Sequence, residues 1–343
     1  MVLLGDVIEL RHGPPREALA AARPFFEDLG RTLAGRELVI VAGNHDHQLV
    51  EPWLARRRED EPPPPLDVEQ LLDPVEVSPT FARIAGWVSP ATVRVAYPGL
   101  WLRPDVYATH GHYLDCHLTV PTLERLAAGA MSRLLARPAS AFHCVDDYEA
   151  VGAPMFAWRD AVARDAPTGA ALNGAATASA WDALRGGGGR SVRPRRAPAR
   201  WLRRRAIVAG FPLAVAVLNR AGLGPLRADV SMSALRRAGL TAMGEVAARL
   251  DLGEAYVVFG HTHRAGPLPG DERREWRGCG GARLVNAGSW TYARVFLGGQ
   301  ASDSPYWPGT CVLVADDGPP TVMRLLQDHT QTQISSSPVR VAR

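Results

Sequence analysis

The chain has 343 residues, 46% of them hydrophobic and 22% charged. This composition excludes a globally disordered chain and suits one large α/β domain with an insertion, or two smaller domains. Its net charge of +4 rests on 39 basic residues, all of them Arg. With abundant Ala, Gly and Pro, that reads as a coding bias toward GC-rich codons, so the charge points to no specific nucleic-acid partner. Cys116, Cys144, Cys279 and Cys311 are far apart and contain no C-x-x-C pair, which excludes a zinc knuckle or a disulfide scaffold and makes a reduced cytoplasm the default. No basic n-region and apolar h-region follow Met1, and no uninterrupted apolar run has the length of a spanning helix.

In chain order, Val2-Leu3-Leu4 is an apolar run that ends at Gly5-Asp6 and predicts a buried strand delivering Asp6 to a cleft. Residues 16–34 carry helical periodicity through Leu19, Ala22, Phe26, Leu29 and Leu33, with Gly35 as C-cap. Glu37 to Ala42 predicts a second buried strand, ending at Gly43-Asn44-His45-Asp46, and the strand, helix, strand order predicts parallel pairing. After an irregular proline-rich loop at 59–66 come predicted strands at 93–97 and 105–109, the second running into His110-Gly111-His112.

Residues 113–250 change character. They are rich in Ala, Leu and Arg, with helical spacing around 121–136, 155–164 and 232–250, and are broken by Gly186 to Gly189 and by an Arg-rich stretch at 190–205. This predicts a helical insertion or cap with an Arg-rich linker, dividing a core of residues 1–112 and 251–326. The strand pattern resumes at 255–259, feeding Gly260-His261-Thr262-His263, and at 283–286, feeding Ala287 to Trp290. A closing hairpin is predicted across 311–326, and the polar residues 327–343 are expected to be a disordered tail.

Four stretches, Gly5-Asp6, Gly43 to Asp46, His110 to His112 and Gly260 to His263, place oxygen or imidazole ligands beside a glycine at the end of an apolar run. Two-metal attack on a phosphorus ester needs a bridging carboxylate, neutral N or O ligands on each ion, and an acid near the leaving group. Asp6 suits the bridge, having two oxygens to share. Asn44, His110 and His261 suit one metal, and His263, two residues on from His261, can reach the other. His45, beside a ligand without being needed as one, is the candidate to protonate the leaving oxygen. Asp46 and His112 are candidate supporting residues, and Glu9 orients neighbours by hydrogen bonding. Asp115 and His117 read as surface residues after a turn, and His12, His47, His143 and His329 have no partner pattern.

This series resembles that of the calcineurin-like metallophosphoesterases: D-x-H, G-D, G-N-H-D/E, H within H-G-H, then G-H-x-H. The last four members are present in order, and the likeness covers residues 1–112 and 251–326. The resemblance implies an α/β/β/α sandwich and a dinuclear site for Mn, Fe or Zn. One metal would be held by Asp6, Asn44, His110 and His261. The other would be held by Asp6, His263 and the Asp and His of D-x-H, but no Asp-x-His precedes Gly5. Either the chain has lost its first strand by truncation or it is a single-metal relic; the apolar run Val2 to Leu4, which wants a neighbour, favours truncation.

The implied activity is hydrolysis of a phosphate mono- or diester or a pyrophosphate, weakened by the incomplete second site. The alternative is a catalytically impaired relic acting at a membrane surface or on a partner. Gly-Asp-x-x-Glu with a helical insertion is similar to the UDP-2,3-diacylglucosamine pyrophosphatase branch, which usually has Arg where this chain has His45, and implies a lipid-linked nucleotide as one substrate class. The basic and apolar stretches across 190–218 fit peripheral contact with the inner face of the membrane.

Overall fold

The apolar runs become strands of a mixed α/β structure with a mostly parallel central sheet. The computed structural model describes residues 1–11, 13–165, 210–292, 297 and 302–335. The sheet is built from β1 (Val2–Leu4), β2 (Glu37–Val41), β3 (Glu69–Leu72), β4 (Thr92–Arg103), β5 (Val106–Thr109), β6 (Tyr256–Phe259), β7 (Ala265–Gly266) and β8 (Arg283–Ala287). Its order is β1-β2-β4-β5-β6-β8-β7, with β3 alongside β4. The pairs β1–β2, β2–β4, β5–β6 and β6–β8 are parallel, while β3–β4, β4–β5 and β7–β8 are antiparallel. Strands β9 (Thr310–Leu313) and β10 (Thr321–Arg324) form the separate hairpin expected near the C-terminus.

Parallel pairing of β1 with β2 follows from the crossover helix α1 (Pro15–Thr32) between them; α2 (Glu51–Arg57) lies between β2 and β3, and α3 (Pro74–Val77) and α4 (Pro79–Val88) lie between β3 and β4. Alternate side chains of β2 serve two cores. Leu38 and Ile40 face the helix-side cluster, whereas Val39 and Val41 join Val106, Ala108, Val258 and Val285 in a second one. One expectation fails here: Val2, Leu3 and Leu4 are half-buried, not buried, because β1 lies at the end of the sheet path with β2 as its strand neighbour.

The 12-residue β4 pairs with β2 through its first half and with β5 through its second. In a flat sheet, strands three places apart would stand roughly 14 Å from each other. Yet the Leu4 carbonyl oxygen lies 2.9 Å from His110 Nδ1, just beyond the end of β5. The sheet therefore curls along β4, bringing the C-terminal ends of β1, β2, β5 and β6 together.

Between β5 and β6 lie α5 (Leu123–Leu134), α6 (Val145–Asp165), a helix α7 over residues 210–220, and α8 (Met232–Arg249), so the described part of 113–250 is chiefly helical. Thr122 and Ser231 cap α5 and α8 by accepting from the amides of Arg125 and Ala234. The Arg-rich stretch 190–205 lies outside the described residues. Of the apolar run that follows it, α7 buries Val215 and exposes Leu213 and Val217. No helix among the described residues is long and apolar enough to cross a membrane. Within the expected tail, Gln331–Ser335 are helical, and residues 336–343 lie outside the described residues.

The insertion is tied to the core by a buried polar knot. Glu149 of α6 accepts hydrogen bonds from Tyr97 of β4 and Tyr113, each at 2.6 Å, and its other oxygen lies 3.4 Å from His47 Nε2. Its carboxyl is held below its ordinary value: burial opposes the charge, but His47 and the two phenols outweigh it. His47, which shows no partner pattern in the sequence, is thus a buried member of a network. Glu149→Ala strands two phenols and an imidazole, and is expected to destabilise the chain by about 3–5 kcal/mol; a urea midpoint unchanged from wild type would remove the knot from the stability account.

Candidate metal centre

The loops after β1, β2, β5 and β6 deliver Asp6, Asn44, His110 and His261 to one point. Glycine makes the approach possible. A Cβ at Gly5, whose φ is +83°, would lie 2.3 Å from His110 Nδ1, and one at Gly43 would lie 2.2 Å from Asp6 Oδ1. Only a residue without a side chain fits either place. Asp6, His261 and His263 adopt left-handed backbone at φ 53°, 61° and 61°; such residues cost on the order of 1–3 kcal/mol each and concentrate at functional sites.

Asp46 locks the first two loops together. Its Oδ1 accepts from the Gly43 amide at 2.6 Å and its Oδ2 from the Val7 amide at 2.8 Å. Burial, then the charge of Asp6, pushes its carboxyl up to about 6. The last loop is shaped by Asn286, whose Nδ2 donates to the Gly260 carbonyl at 3.1 Å and to Thr262 Oγ1 at 2.8 Å. This gives the Asn286 to Trp290 stretch its place beside the site.

The inward terminal atom of the Asn44 amide lies 3.2 Å from each of Asp6 Oδ2, His110 Nε2 and His261 Nδ1. Asp6 Oδ2 and His110 Nε2 are themselves 3.2 Å apart. Ligands bound at about 2.05 Å stand roughly 2.9 Å apart around an octahedral ion and roughly 3.3 Å apart around a tetrahedral one. These separations are those of one coordination shell. Asp6, His110 and His261 are also the one group of three or more His, Cys, Asp or Glu among the described residues with ligand atoms within 4.8 Å of one another. With its amide oxygen inward, Asn44 makes the fourth ligand.

The far side of each imidazole is held. His110 Nδ1–H donates to the Leu4 carbonyl at 2.9 Å, leaving Nε2 for the centre. His261 Nε2–H donates to Asp115 Oδ2 at 3.0 Å, leaving Nδ1. A metal-binding histidine commonly gives its other N–H to a carbonyl or carboxylate in this way. Asp115, read from sequence as a surface residue, is instead buried in the 3-10 turn His112–Cys116. His117, read likewise, is half-buried with its Nε2 2.8 Å from the Tyr148 hydroxyl. Neither pairing has a local sequence signal, since Asp115 and His261 are 146 residues apart.

The remaining predicted residues are placed around this group. Asp6 Oδ1 accepts from the His45 amide at 2.8 Å, so Oδ2 is the oxygen that faces the centre. His45 Nδ1 is 2.5 Å from Glu9 Oε2, and its Nε2 is 4.0 Å from Asp6 Oδ2. Burial disfavours the His45 imidazolium, but Glu9 and Asp6 hold it above its ordinary value. His263 lies outside the converging group; burial, then the charge of His261, pushes it down to about 4. His112 also lies outside it, packed among the rings of His110, Tyr113 and Phe156, with neither ring nitrogen hydrogen-bonded and its basicity depressed by burial.

Without a cation, Asp6 and His110 behave as an ion pair. Burial opposes the His110 charge, but Asp6 raises it to about 9, while His110 holds Asp6 well below the usual carboxylate range in spite of burial. No family model, curated protein or solved structure matches the chain.

Two outcomes follow for binding of Mn²⁺ or Co²⁺. A cation must displace the His110 proton, so apparent affinity should rise about tenfold per pH unit between neutrality and about pH 9, then level off, with about one proton released per ion; calorimetric titration in buffers of different ionisation enthalpy reads this directly. Asp115→Asn, which weakens the acceptor on His261, is expected to cost about 10-fold to 100-fold in affinity while the fold persists.

Proposed function

We propose that this chain is a metal-dependent phosphoric-ester hydrolase of metallophosphoesterase type, with a centre made by Asp6, Asn44, His110 and His261. The 3.2 Å spacing of their inward atoms carries the reading. The family's α/β/β/α sandwich is supported by the curled sheet, whose β2, β5, β6 and β8 contribute valines to one inner cluster while Leu38 and Ile40 face the helices.

A divalent Mn, Fe or Zn ion held there supplies Lewis-acid charge next to a phosphoryl oxygen. The protein's own groups do the rest. Asp6 and two neutral imidazoles bind, and the Leu4 carbonyl and Asp115 fix the imidazoles in orientation. His45 keeps its proton through the Glu9 contact and sits at the edge of the centre, placed to pass that proton to the leaving oxygen.

Among the described residues no second group of ligands converges, and His263 stands outside the one that does. Slow hydrolysis is the expected consequence, and the same incompleteness favours the second reading, a single-metal relic that binds a partner or a membrane surface. The exposed Leu213 and Val217 of α7 support a lipid-linked nucleotide as substrate or peripheral membrane contact through 190–218.

Bis-p-nitrophenyl phosphate with added Mn²⁺ separates the readings. The hydrolase predicts turnover above the buffer rate, reduced about 100-fold by Asn44→Ala and similarly by His45→Gln, the latter with cation affinity retained. Turnover that is equal in wild type and Asn44→Ala would take the centre out of the reaction; cation binding with no turnover would favour the relic.

A further inference from the structure

We infer that Arg11 and Glu124 set the orientation of the Asn44 amide, and through it the affinity of the centre for a divalent cation, so that the helical insertion regulates metal loading. This rests on the metal-centre reading above.

The Asn44 amide fits its slot in two orientations related by a half-turn. With the oxygen inward, it offers a lone pair where Asp6, His110 and His261 converge. With the nitrogen inward, the NH2 group donates to Asp6 Oδ2 and His261 Nδ1 at 3.2 Å, and the oxygen accepts from Arg11 Nη1 at 2.7 Å. The second arrangement satisfies both the oxygen and the nitrogen of the amide while no ion is bound. The first is the one a cation requires, and it sets the amide NH2 against an Arg11 N–H at 2.7 Å. A guanidinium offers donors and no acceptor, so it disfavours the cation-binding orientation whichever way it turns.

Arg11 is unusual in its own right. Its side chain is only 4% exposed, where arginines are rarely found unless well paired. Its Nε has no hydrogen-bond partner among the described residues, and its Nη2 lies 3.6 Å from Glu124 Oε1, beyond hydrogen-bond length. The backbone that carries it is pinned, since the Arg11 amide donates to Glu9 Oε1 at 2.8 Å. The guanidinium thus stands between two acceptors. One is the Asn44 oxygen in the core, and the other is a carboxylate in the first turn of α5, in the insertion. Closing the gap to Glu124 draws Arg11 away from Asn44 and frees the amide to turn its oxygen inward. Opening that gap returns the guanidinium to Asn44.

The two residues therefore have opposite signs. Loss of the Arg11 charge removes both the preference for the nitrogen-inward amide and a cation beside a cation site. Loss of the Glu124 charge leaves Arg11 wholly to Asn44. In Asn44→Asp both terminal atoms are acceptors, so orientation no longer matters and the influence of Glu124 through it disappears.

Titration of the metal-free full chain with Co²⁺, followed by visible absorption, tests this. Expected results are affinity about tenfold weaker in Glu124→Gln and about tenfold tighter in Arg11→Met, with the Glu124→Gln effect lost in an Asn44→Asp background. Glu124 is partly exposed, so its variant reports even where Arg11→Met fails to fold. Wild-type affinity or tighter in Glu124→Gln, or an equal loss with Asn44→Asp present, would overturn the inference and leave the centre standing. Absence of Co²⁺ binding by the wild type would overturn the centre itself and this inference with it.

Discussion

The hydrogen bond from His110 Nδ1–H to the Leu4 carbonyl is the contact on which the rest of the site depends. It joins the end of β1 to the end of β5, strands separated in the sheet by β2 and β4. Without that closure Asp6 and His110 would face different parts of the surface. With it, their side chains meet at 3.2 Å over a glycine that leaves no room for a Cβ. A buried carboxylate and a buried imidazole at that distance stabilise one another against desolvation, and the pair closes the sheet as much as it equips the centre.

Much of the centre was legible because its residues obey local rules. Each ligand follows an apolar run and stands in or beside a glycine turn, and the strand, helix, strand order implies the parallel pairing that aligns β1 with β2. What local rules do not carry is the partner of a ligand. Asp115 looks like a turn residue and His47 like an ordinary histidine until the fold places them against His261 and Glu149. Arg11 carries no local signal of its placement either; only the packing of its loop against Asn44 and α5 buries it. The half-buried state of β1 was equally invisible, because strand burial depends on which neighbours the sheet supplies, and an apolar triplet reads the same at an edge as in the middle.

The two oxygens of Asp6 have different surroundings. Asp6 Oδ1 accepts from the His45 amide, and Oδ2 points at the converging group. The same amide contact is what sets His45 beside the centre, where Glu9 raises the basicity of its ring against the effect of burial. His263, at φ 61° and with its basicity depressed chiefly by burial, lies outside the converging group.

A site in this state is governed by what competes for its lone pairs. The His110 proton is one competitor, stabilised by Asp6; the Asn44 amide turned nitrogen-inward is the other, stabilised by Arg11. In the proposed centre both would occupy the ligand atoms with hydrogens and both would have to leave for a cation to bind, but they would answer to different controls. Proton release follows the pH around the centre. The amide follows a guanidinium whose alternative partner belongs to α5, and α5 leans on α6, which Glu149 fastens back to β4 beneath the centre. The insertion is therefore connected to the ligand set twice, rigidly through Glu149 and adjustably through Glu124. A rigid attachment alone would fix the affinity of the proposed centre, whereas the loose 3.6 Å contact would leave it open to change.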